Sequence, residues 1–283
     1  MLISLARRLL PNHCQLRPLP RSCSATASPP LPRPFSCFSS VASFSSSPMD
    51  TPSINPIHHP EVAAMRLTYN QHLLESELLP DPFAQFEAWF ADARATVGNS
   101  GSSNGTAGAV GEPNAMNLAT ASKQGRPSSR MVLLKDFDQH GFVFYTNYGS
   151  RKAKELDENP FAALTFYWGQ RSVRIEGPVE RVSNEESDAY FASRPLGSRI
   201  GAWASPQSTP LHNREELDAL ERDVKAKFET KGESIPRPDF WGGFRVVPDR
   251  IEFWAGRASR LHDRIVYARS APDKEWEVSR LAP

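Results

Sequence analysis

The segment from Trp254 to Arg264 places two arginines around a histidine, because Arg260, His262 and Arg264 alternate along it. On a strand, alternate side chains point to the same face, so these three side chains would lie together. Two guanidinium groups beside an imidazole repel each other unless an anion or an electron-rich ring neutralises them. A solvated surface stripe is the alternative, but the apolar residues between and after them favour one wall of a binding pocket.

A second group of polar residues surrounds the start of a predicted helix. Tyr145 and Thr146 end an apolar run, and Arg151 and Lys152 follow Ser150, where the helix should begin. Hydroxyl groups, two cations and the backbone N–H groups of a helix N-terminus together favour an anion. We therefore predict a phosphate site here. A solvated basic helix end is the alternative.

A third group consists of Tyr190, Arg194 and Ser198, at intervals of four residues. A continuous helix would align them on one face, but Pro195 favours a helix end at Arg194. In either case a phenol, a guanidinium group and a hydroxyl meet near one turn, which suits bidentate capture of a phosphate. Taken alone, this group is explained at least as well by a structural role.

A body rich in strands must position these groups. Arg130 and Lys135 stand at the two ends of one apolar strand and point to opposite faces, so alone they indicate only an ordinary sheet strand. Long strands with few helices favour an α+β fold built on an antiparallel β-barrel. The predicted strands are Met116–Ala121, Ser129–Phe137, Phe142–Tyr148, Phe161–Trp168, Arg171–Val182, Phe244–Trp254, Leu261–Arg269 and a short one near Trp276.

Helices are signalled by caps and by apolar spacing. Asp81 can cap a helix that has Pro82 at its first position and an aromatic stripe at helical spacing, which we interpret as core. Ser183 and Glu186 form a capping box that opens another helix through Tyr190. Two further helices are predicted over Arg151–Glu158 and Arg214–Thr230.

The first 48 residues differ in composition from the rest of the chain. Between Met1 and Met49 there is no Asp or Glu, whereas serine is abundant and several arginines occur. This composition is typical of an organelle transit peptide, and a plain disordered tail is the alternative. We predict a removable leader over residues 1–48 that addresses a mitochondrion or a plastid, a linker over 49–64, and a flexible loop at about 99–112. A second start at Met49 would give a cytosolic form.

Loss of this leader would change the chemistry available to the protein. All three cysteines, Cys14, Cys23 and Cys37, lie in it, so the remaining body would have no disulfide, no Cys-ligated zinc and no thiol nucleophile. The formal net charge would change from +1 to about −4. A mildly acidic body does not favour nucleic acid as a partner, and no run of roughly 20 apolar residues suggests a membrane span. Phosphates must then be bound by locally placed cations.

Several long motifs in register resemble the pyridoxine/pyridoxamine 5′-phosphate oxidase family. They are RMVLLK, FYTNYGSRKAKEL, YFASRPLGSRIGAWAS, FWGGFRV, IEFWAGRASRLHDR and the terminal RLAP, and the likeness runs from about Arg66 to Pro283. The resemblance implies a split β-barrel homodimer with two FMN sites at the subunit interface. It also implies oxidation of pyridoxine and pyridoxamine 5′-phosphates to pyridoxal 5′-phosphate, with O₂ reduced to H₂O₂. The redox chemistry would belong to the flavin, which explains why no acid–base pair or nucleophile is visible.

The resemblance also assigns roles position by position. The residues that match FMN contacts are Arg130, Met131, Val132, Leu133, Lys135, Tyr145, Thr146, Arg151, Lys152, Ser172, Gln207, Ser208, Trp254 and Arg264. The residues that match contacts to the substrate are Lys135, Tyr190, Arg194 and Ser198 at its phosphate, Arg260 and His262 at its ring, and Arg66 and Tyr69 on a closing N-terminal segment. We expect Arg260 nearest the reacting carbon and His262 to orient the substrate. No metal site is predicted.

The sequence departs from the family pattern at Ser172. The family usually has a Gln in contact with FMN at this position, at the end of a longer turn. Serine is a shorter donor, so we expect that contact to pass to water or to Gln170, and FMN binding to be weaker. One neutral hydrogen bond is worth roughly 0.5–1.5 kcal/mol, or up to about tenfold in affinity.

Two other functions are compatible with many of these residues. A flavin reductase with the same barrel, acting on another small molecule, would need the FMN residues but not the substrate residues, which this chain carries together. The other alternative is a non-catalytic protein that stores FMN or pyridoxal phosphate. Only the presence of the complete set of substrate residues argues against it. Turnover of pyridoxine 5′-phosphate in air distinguishes the oxidase from both.

Overall fold

Antiparallel strands form the body of the molecule. The computed structural model describes residues 60–65, 68–96, 111–229 and 234–283. The predicted leader over residues 1–48, almost all of the predicted linker and loop, and Arg66 lie outside these residues and stay predictions.

Ten strands occur in the described part of the chain. One sheet has the order β10-β9-β8-β6-β5-β1-β2, while β4 pairs with β3 and with β7, which in turn pairs with β6. Every pair is antiparallel. The predicted α+β class with an antiparallel split barrel is confirmed. The strands are β1 (Ala115–Ala121), β2 (Pro127–Leu133), β3 (Asp136–Asp138), β4 (Gly141–Asn147), β5 (Phe161–Trp168), β6 (Arg171–Arg181), β7 (Trp241–Val246), β8 (Arg250–Ala255), β9 (Asp263–Ala268) and β10 (Glu277–Arg280).

Strand β6 joins the two halves of the barrel. Residues 171–176 pair with β8, whereas residues 179–181 pair with β7. Between them lies Gly177, where a side chain would overlap the backbone oxygen of Val247. Glycine therefore permits the close approach of two backbones at the point where the strand passes from one sheet to the other.

The helices lie around the strands and largely match their sequence signals. Asp81 accepts hydrogen bonds from the N–H groups of Phe83 and Ala84, and Ser183 accepts one from Glu186. The sequence does not predict α5, because its two glycines lower helix propensity. The α-helices of the described residues are α1 (Pro60–Ala64), α2 (Pro82–Ala95), α3 (Arg151–Glu158), α4 (Asn184–Ser193), α5 (Leu196–Ala204) and α6 (Arg214–Phe228).

The aromatic stripe of α2 packs into the barrel, as predicted. Phe86 is fully buried and contacts the rings of Phe142 and Phe166 from two different strands. Trp89 packs edge-on against Phe253. Burial of aromatic rings is the largest apolar contribution a single side chain can make to a core, so this stripe fixes α2 to the sheet.

Two predicted strands are wrong in extent, because each is interrupted. Ser129–Phe137 divides into β2 and β3: the N–H of Leu134 binds the oxygen of Asn114, and that of Lys135 binds Val143, so the chain changes partners there. Phe244–Trp254 divides into β7 and β8 around Pro248, which has no N–H to donate. The second break is visible in the sequence, but the first is not, since the chain stays extended on both sides.

No helix in the described ranges is long and apolar enough to cross a membrane.

Candidate active site

A cleft of about 860 Å³ opens between β2, the end of β4, helices α4 and α5, and the first residue of β7. This volume is within the usual range for small-molecule sites. The cleft brings together residues that the sequence places in three separate motifs. The predicted site residues that line it are Arg130, Met131, Val132, Leu133, Lys135, Tyr145, Thr146, Lys152, Tyr190, Arg194, Ser198 and Gln207.

Lys152 is the buried cation of this cleft. It lies in the first turn of α3, and its Nζ donates hydrogen bonds to Thr146 Oγ1 at 3.0 Å and to Gln207 Oε1 at 2.8 Å. Burial, and secondly the charge of Arg130, lower the pKa of Lys152 to about 8. A buried ammonium group at a helix N-terminus strongly favours an anion, because an anion would offset both the lost hydration and the repulsion.

Glu155 organises the cations beside Lys152, and the sequence did not identify it. Its carboxylate accepts hydrogen bonds from Thr120 Oγ1 and Ser128 Oγ, both at 2.5 Å, and forms ion pairs with Arg130 at 3.3 Å and Arg151 at 2.8 Å. Burial raises the pKa of Glu155, but these hydrogen bonds and the positive charge of Arg151 outweigh burial and lower it to about 2. The sequence could have indicated this role, because Glu155 follows Arg151 by four residues on the same predicted helix, a spacing that favours an ion pair.

An aromatic stack forms the opposite side of the cleft. The rings of Tyr145, Tyr190 and Trp241 are nearly parallel, with centroids 4.0 Å apart for the two tyrosines, 5.3 Å for Tyr145 and Trp241, and 6.2 Å for Tyr190 and Trp241. Burial raises the pKa of both tyrosines, so their hydroxyl groups stay protonated donors at neutral pH. Trp241 is the tryptophan of the motif FWGGFRV, and residue type alone predicts no role for it in the site.

Arg194 supplies a second cation, at the end of α4, where Pro195 terminates the helix as predicted. Its guanidinium carbon lies 4.7 Å from the centre of the Trp241 ring. Its Nη1 atom is buried and has no hydrogen-bond partner among the described residues. Burial lowers the pKa of Arg194, although it stays far above neutrality. Arg194 lines the cleft and keeps an unsatisfied guanidinium donor, which suits it to bind an anion there.

Several other predicted residues form a second group, around strands β8 and β9, that does not line this cleft. Tyr69, Trp254 and His262 pack together, with ring centroids 4.8 to 5.6 Å apart. His262 Nδ1 accepts the backbone N–H of Arg257 at 3.1 Å, so the other ring nitrogen, Nε2, carries a hydrogen in either charge state. We define these three residues as the aromatic cluster.

The predicted common strand face of Arg260, His262 and Arg264 is wrong. Arg260 ends a short 3-10 turn, Ala258–Arg260, in which Ser259 and Arg260 have φ values of 57° and 61°. The turn redirects the chain before β9 begins at Asp263, so only Arg264 of the three lies on a strand. Left-handed backbone at two consecutive non-glycine residues is uncommon and often marks functional loops.

Four further residues that were predicted to contact FMN do not line the cleft. Arg264 makes a two-point ion pair with the buried Glu252 and does not reach the cleft. Ser172 is in register with Trp254, and the side-chain oxygen of Gln170 accepts the N–H of Asn70. Arg151 and Ser208 line an adjacent hollow of about 400 Å³.

Comparison with known proteins accounts for this arrangement. Residues 95–225 match the family model described as pyridoxamine 5′-phosphate oxidase, and residues 241–283 match the pyridoxine 5′-phosphate oxidase C-terminal dimerisation region. Pyridoxine/pyridoxamine 5′-phosphate oxidase from Burkholderia ambifaria is 52% identical over 228 residues, which cover 78% of this chain and 99% of the relative. The enzyme of that name from Rubrobacter xylanophilus is also 52% identical, over 79% of this chain and 97% of the relative.

The chain belongs to the pyridoxine/pyridoxamine 5′-phosphate oxidase family. Among solved structures, PhzG from Burkholderia lata in complex with tetrahydrophenazine-1-carboxylic acid aligns with a TM-score of 0.65 and 30% identity, over 75% of this chain and 98% of that one. A pyridoxamine 5′-phosphate oxidase-related, FMN-binding protein from Nostoc punctiforme aligns with a TM-score of 0.54 at 14% identity, over 73% of this chain and all of that one, which indicates a shared fold.

The cleft of this pyridoxine/pyridoxamine 5′-phosphate oxidase family member fits the FMN that the sequence resemblance implies. Lys152, Arg130 and Thr146 bring a buried ammonium group, a guanidinium group and a hydroxyl to the lining of one cleft, which is the donor set that a phosphate requires. Arg194 lies in the same cleft with a free buried donor, which suits a second anion. Among the described residues, no group of three or more His, Cys, Asp or Glu side chains could bind a metal ion.

Proposed function

We propose that this protein oxidises pyridoxine 5′-phosphate and pyridoxamine 5′-phosphate to pyridoxal 5′-phosphate, with FMN as its cofactor and O₂ as the electron acceptor. One observation carries the substrate assignment: the cleft is lined by two separate cations, the buried Lys152 and the half-buried Arg194, whose Nη1 atom has no partner among the described residues. FMN has one phosphate, so a second anion site fits a substrate that is itself phosphorylated. The relatives at 52% identity are named for this reaction.

Each group of residues has a separate task in this reaction. Bound FMN would supply the redox chemistry, namely hydride acceptance from the carbon that is oxidised and transfer of the electrons to O₂ to give H₂O₂. Lys152, Thr146 and Arg130 would bind its phosphate, and Tyr190, Arg194 and Ser198 would bind the phosphate of the substrate. The protein would thus bind two phosphates in one cleft, which would orient the reacting carbon towards the flavin.

His262 is suited to orient the substrate rather than to remove a proton. Its Nδ1 is occupied by the N–H of Arg257, and a hydrogen on Nε2 makes that atom a donor. It can therefore donate a hydrogen bond to an oxygen of the substrate ring. Arg260, on the exposed turn before it, would lie nearest the reacting carbon.

We further propose that the protein acts as a homodimer and that FMN binds at the interface. The cleft and the aromatic cluster lie in different parts of one chain, yet both contain residues expected at a single FMN and substrate site. The cluster residues Trp254 and His262 belong to the segment 241–283, which matches a dimerisation region. A second copy could place its cluster against the cleft of the first, and two equivalent sites would result.

A mixed dimer tests the interface proposal. At a substrate concentration well below KM, Arg194→Ala and His262→Ala should each lower the activity of a homodimer at least about tenfold. In a heterodimer of the two variants, one site carries both changes and the other carries neither. Random assembly should thus restore about a quarter of wild-type activity. If the mixture stays as inactive as the separate variants, the two groups belong to the same subunit's site and the proposal is wrong.

The reaction itself is tested directly. The purified chain is loaded with FMN, supplied with pyridoxine 5′-phosphate in air, and assayed for pyridoxal 5′-phosphate and H₂O₂. Equal amounts of both products are expected. A flavin-loaded protein that produces neither would be a storage protein or a reductase of another small molecule.

We also propose that the leader over residues 1–48 directs the protein to a mitochondrion or a plastid and is then removed. Its Arg- and Ser-rich, acid-free composition supports this. N-terminal sequencing of the native protein decides: a first residue near position 49 in an organelle fraction is expected. An intact Met1 in that fraction would contradict removal, and a form starting at Met49 only in the cytosol would indicate a second translation start.

A further inference from the structure

A short extended segment, Thr68–Leu74, crosses the ends of strands β8 and β9, and we call it the strap. The N–H of Asn70 binds the side-chain oxygen of Gln170, and the N–H of Gln71 binds the backbone oxygen of Gly256, both at 2.9 Å. Tyr69, which directly precedes Asn70, packs so closely on Gly256 that any side chain at position 256 would overlap the tyrosine ring. The strap therefore fixes Tyr69 in the aromatic cluster.

The other end of the strap is fixed by two charged residues. Asp263, which is buried, accepts the N–H of Leu73 through Oδ2 at 3.1 Å. Arg280 of the last strand donates to Asp263 Oδ1 at 2.6 Å, to the backbone oxygen of Leu73 at 2.9 Å, and to Glu75 Oε1 at 2.6 Å. One carboxylate and one guanidinium group thus satisfy both backbone polar groups of Leu73, as a neighbouring strand would.

These contacts couple the chain terminus to the predicted substrate site. Asp263 follows His262 directly, and His262 lies 5.5 Å from the Tyr69 ring. The buried side chain of Leu73 also limits sliding of the strap, because a shift of one residue would expose it. A change at Arg280 would thus be transmitted from Leu73 to Tyr69 through three intervening strap residues.

We propose that Asp263 and Arg280 are positioning residues for the oxidase, which hold the strap so that Tyr69 lies against His262 and Trp254. This rests on the proposed function, in which Tyr69 and His262 contact the substrate. Neither Asp263 nor Arg280 lines the cleft that would hold FMN. Loss of the Arg280 contacts should therefore weaken substrate binding and leave FMN binding unchanged.

Arg280→Ala tests the proposal in the full-length, FMN-loaded protein, with Arg269→Ala as the matched control. Arg269 also donates to two backbone oxygens, those of Pro248 and Pro272 in the connections β7–β8 and β9–β10, and neither is in the strap. In Arg280→Ala, hydrogen exchange at the amides of Gln71 and Leu73 should be faster by about tenfold or more, and KM for pyridoxine 5′-phosphate should rise about three- to tenfold at nearly constant kcat. The control should change neither.

Arg280→Lys separates charge from geometry. Lysine keeps the charge but has no fork to reach three partners at once, so strap exchange should be intermediate. Unchanged exchange at Gln71 and Leu73 in Arg280→Ala would overturn the proposal. So would an equal increase across β8 and β9, since Arg280 would then only stabilise the sheet. If the wild-type protein forms no pyridoxal 5′-phosphate, the proposed function fails, but hydrogen exchange still decides whether Arg280 holds the strap.

Discussion

The Nζ atom of Lys152 lies 2.8 Å from Oε1 of Gln207, although 55 residues separate them in the chain. The same oxygen accepts a hydrogen bond from the Thr146 hydroxyl at 2.8 Å. An acceptor between a buried ammonium group and a hydroxyl donor marks the position that an anionic oxygen would favour. The expected FMN phosphate site is therefore defined by a loop and a helix that only the fold brings together.

Lys152→Met should weaken FMN binding by about 10- to 100-fold, because a charge-assisted hydrogen bond is lost. Since the pKa of Lys152 is lowered to about 8, wild-type affinity should also fall as the pH rises above 8 and the ammonium group loses its proton. The variant should lack this dependence. Titration of flavin fluorescence between pH 7 and 9.5 measures both effects, with Lys154→Met, exposed on the same helix, as the control.

The same pKa shift has a consequence for stability. The pKa of Lys152 in the folded protein lies below the ordinary value of 10.5, so the unfolded chain binds more protons between about pH 8 and 10.5. The contribution of Lys152 to the free energy of unfolding should therefore increase with pH across this interval. Urea unfolding of the FMN-free protein should show this rise relative to Lys152→Met. If the difference in the free energy of unfolding between wild type and Lys152→Met does not change with pH, the lowered pKa is contradicted.

Glu155→Gln should destabilise the protein by about 1–3 kcal/mol at pH 7, because two arginines and two hydroxyl groups lose their shared carboxylate. The pKa of Glu155 is lowered to about 2, so its contribution is present above pH 4.5 and is lost as the pH falls towards 2. The difference in the free energy of unfolding between Glu155→Gln and the wild type should therefore become smaller as the pH falls through that range. The control is Asp157→Asn on the same helix. This change removes only an exposed ion pair with Arg181 of β6, so it should have little effect on stability.

Arg194→Met should raise KM for pyridoxine 5′-phosphate at least about tenfold without lowering stability by more than about 1 kcal/mol. The guanidinium group has a buried Nη1 without a partner among the described residues, so its removal relieves a cost that offsets the lost contact with Trp241. Steady-state kinetics measures the change in KM, and thermal unfolding of the FMN-free protein measures the change in stability. A strongly destabilised variant would mean that Arg194 has a structural role.

Arg260→Ala should reduce turnover by about 100-fold or more while FMN stays bound. Arg260 lies on an exposed turn outside the cleft, so the FMN contacts in the cleft should be unaffected. Flavin absorbance after gel filtration reports retention, and kcat is measured with both substrates. Loss of the flavin in this variant would place Arg260 at the cofactor instead of at the reacting carbon.

Ser172→Gln should tighten FMN binding by up to about tenfold, since it restores a longer donor. In the wild-type protein the side-chain oxygen of Gln170 accepts the N–H of Asn70, so Gln170 can replace the missing donor only through its amide NH₂. Flavin fluorescence titration of variant and wild type is the measurement. Equal affinities would show that a water molecule or another residue already makes the contact.

The amino-acid sequence by itself determined the local elements and the kinds of donor in the site. Helix α3 and strand β5 have their predicted bounds, because caps, turns and alternation act over a few residues. Lys152, Arg194 and Tyr190 were identified from residue type and motif. The leader composition is likewise a property of sequence alone.

Only the tertiary structure decided which of these groups meet. Lys152 and Arg194 line one cleft, whereas His262 joins Tyr69 and Trp254 elsewhere, and Glu155 stands between two arginines from different elements. Pairing between distant strands and the turn at Arg260 depend on packing across the whole sheet, which no local pattern encodes. Local physics thus fixed the elements and their donors, while long-range packing fixed the site.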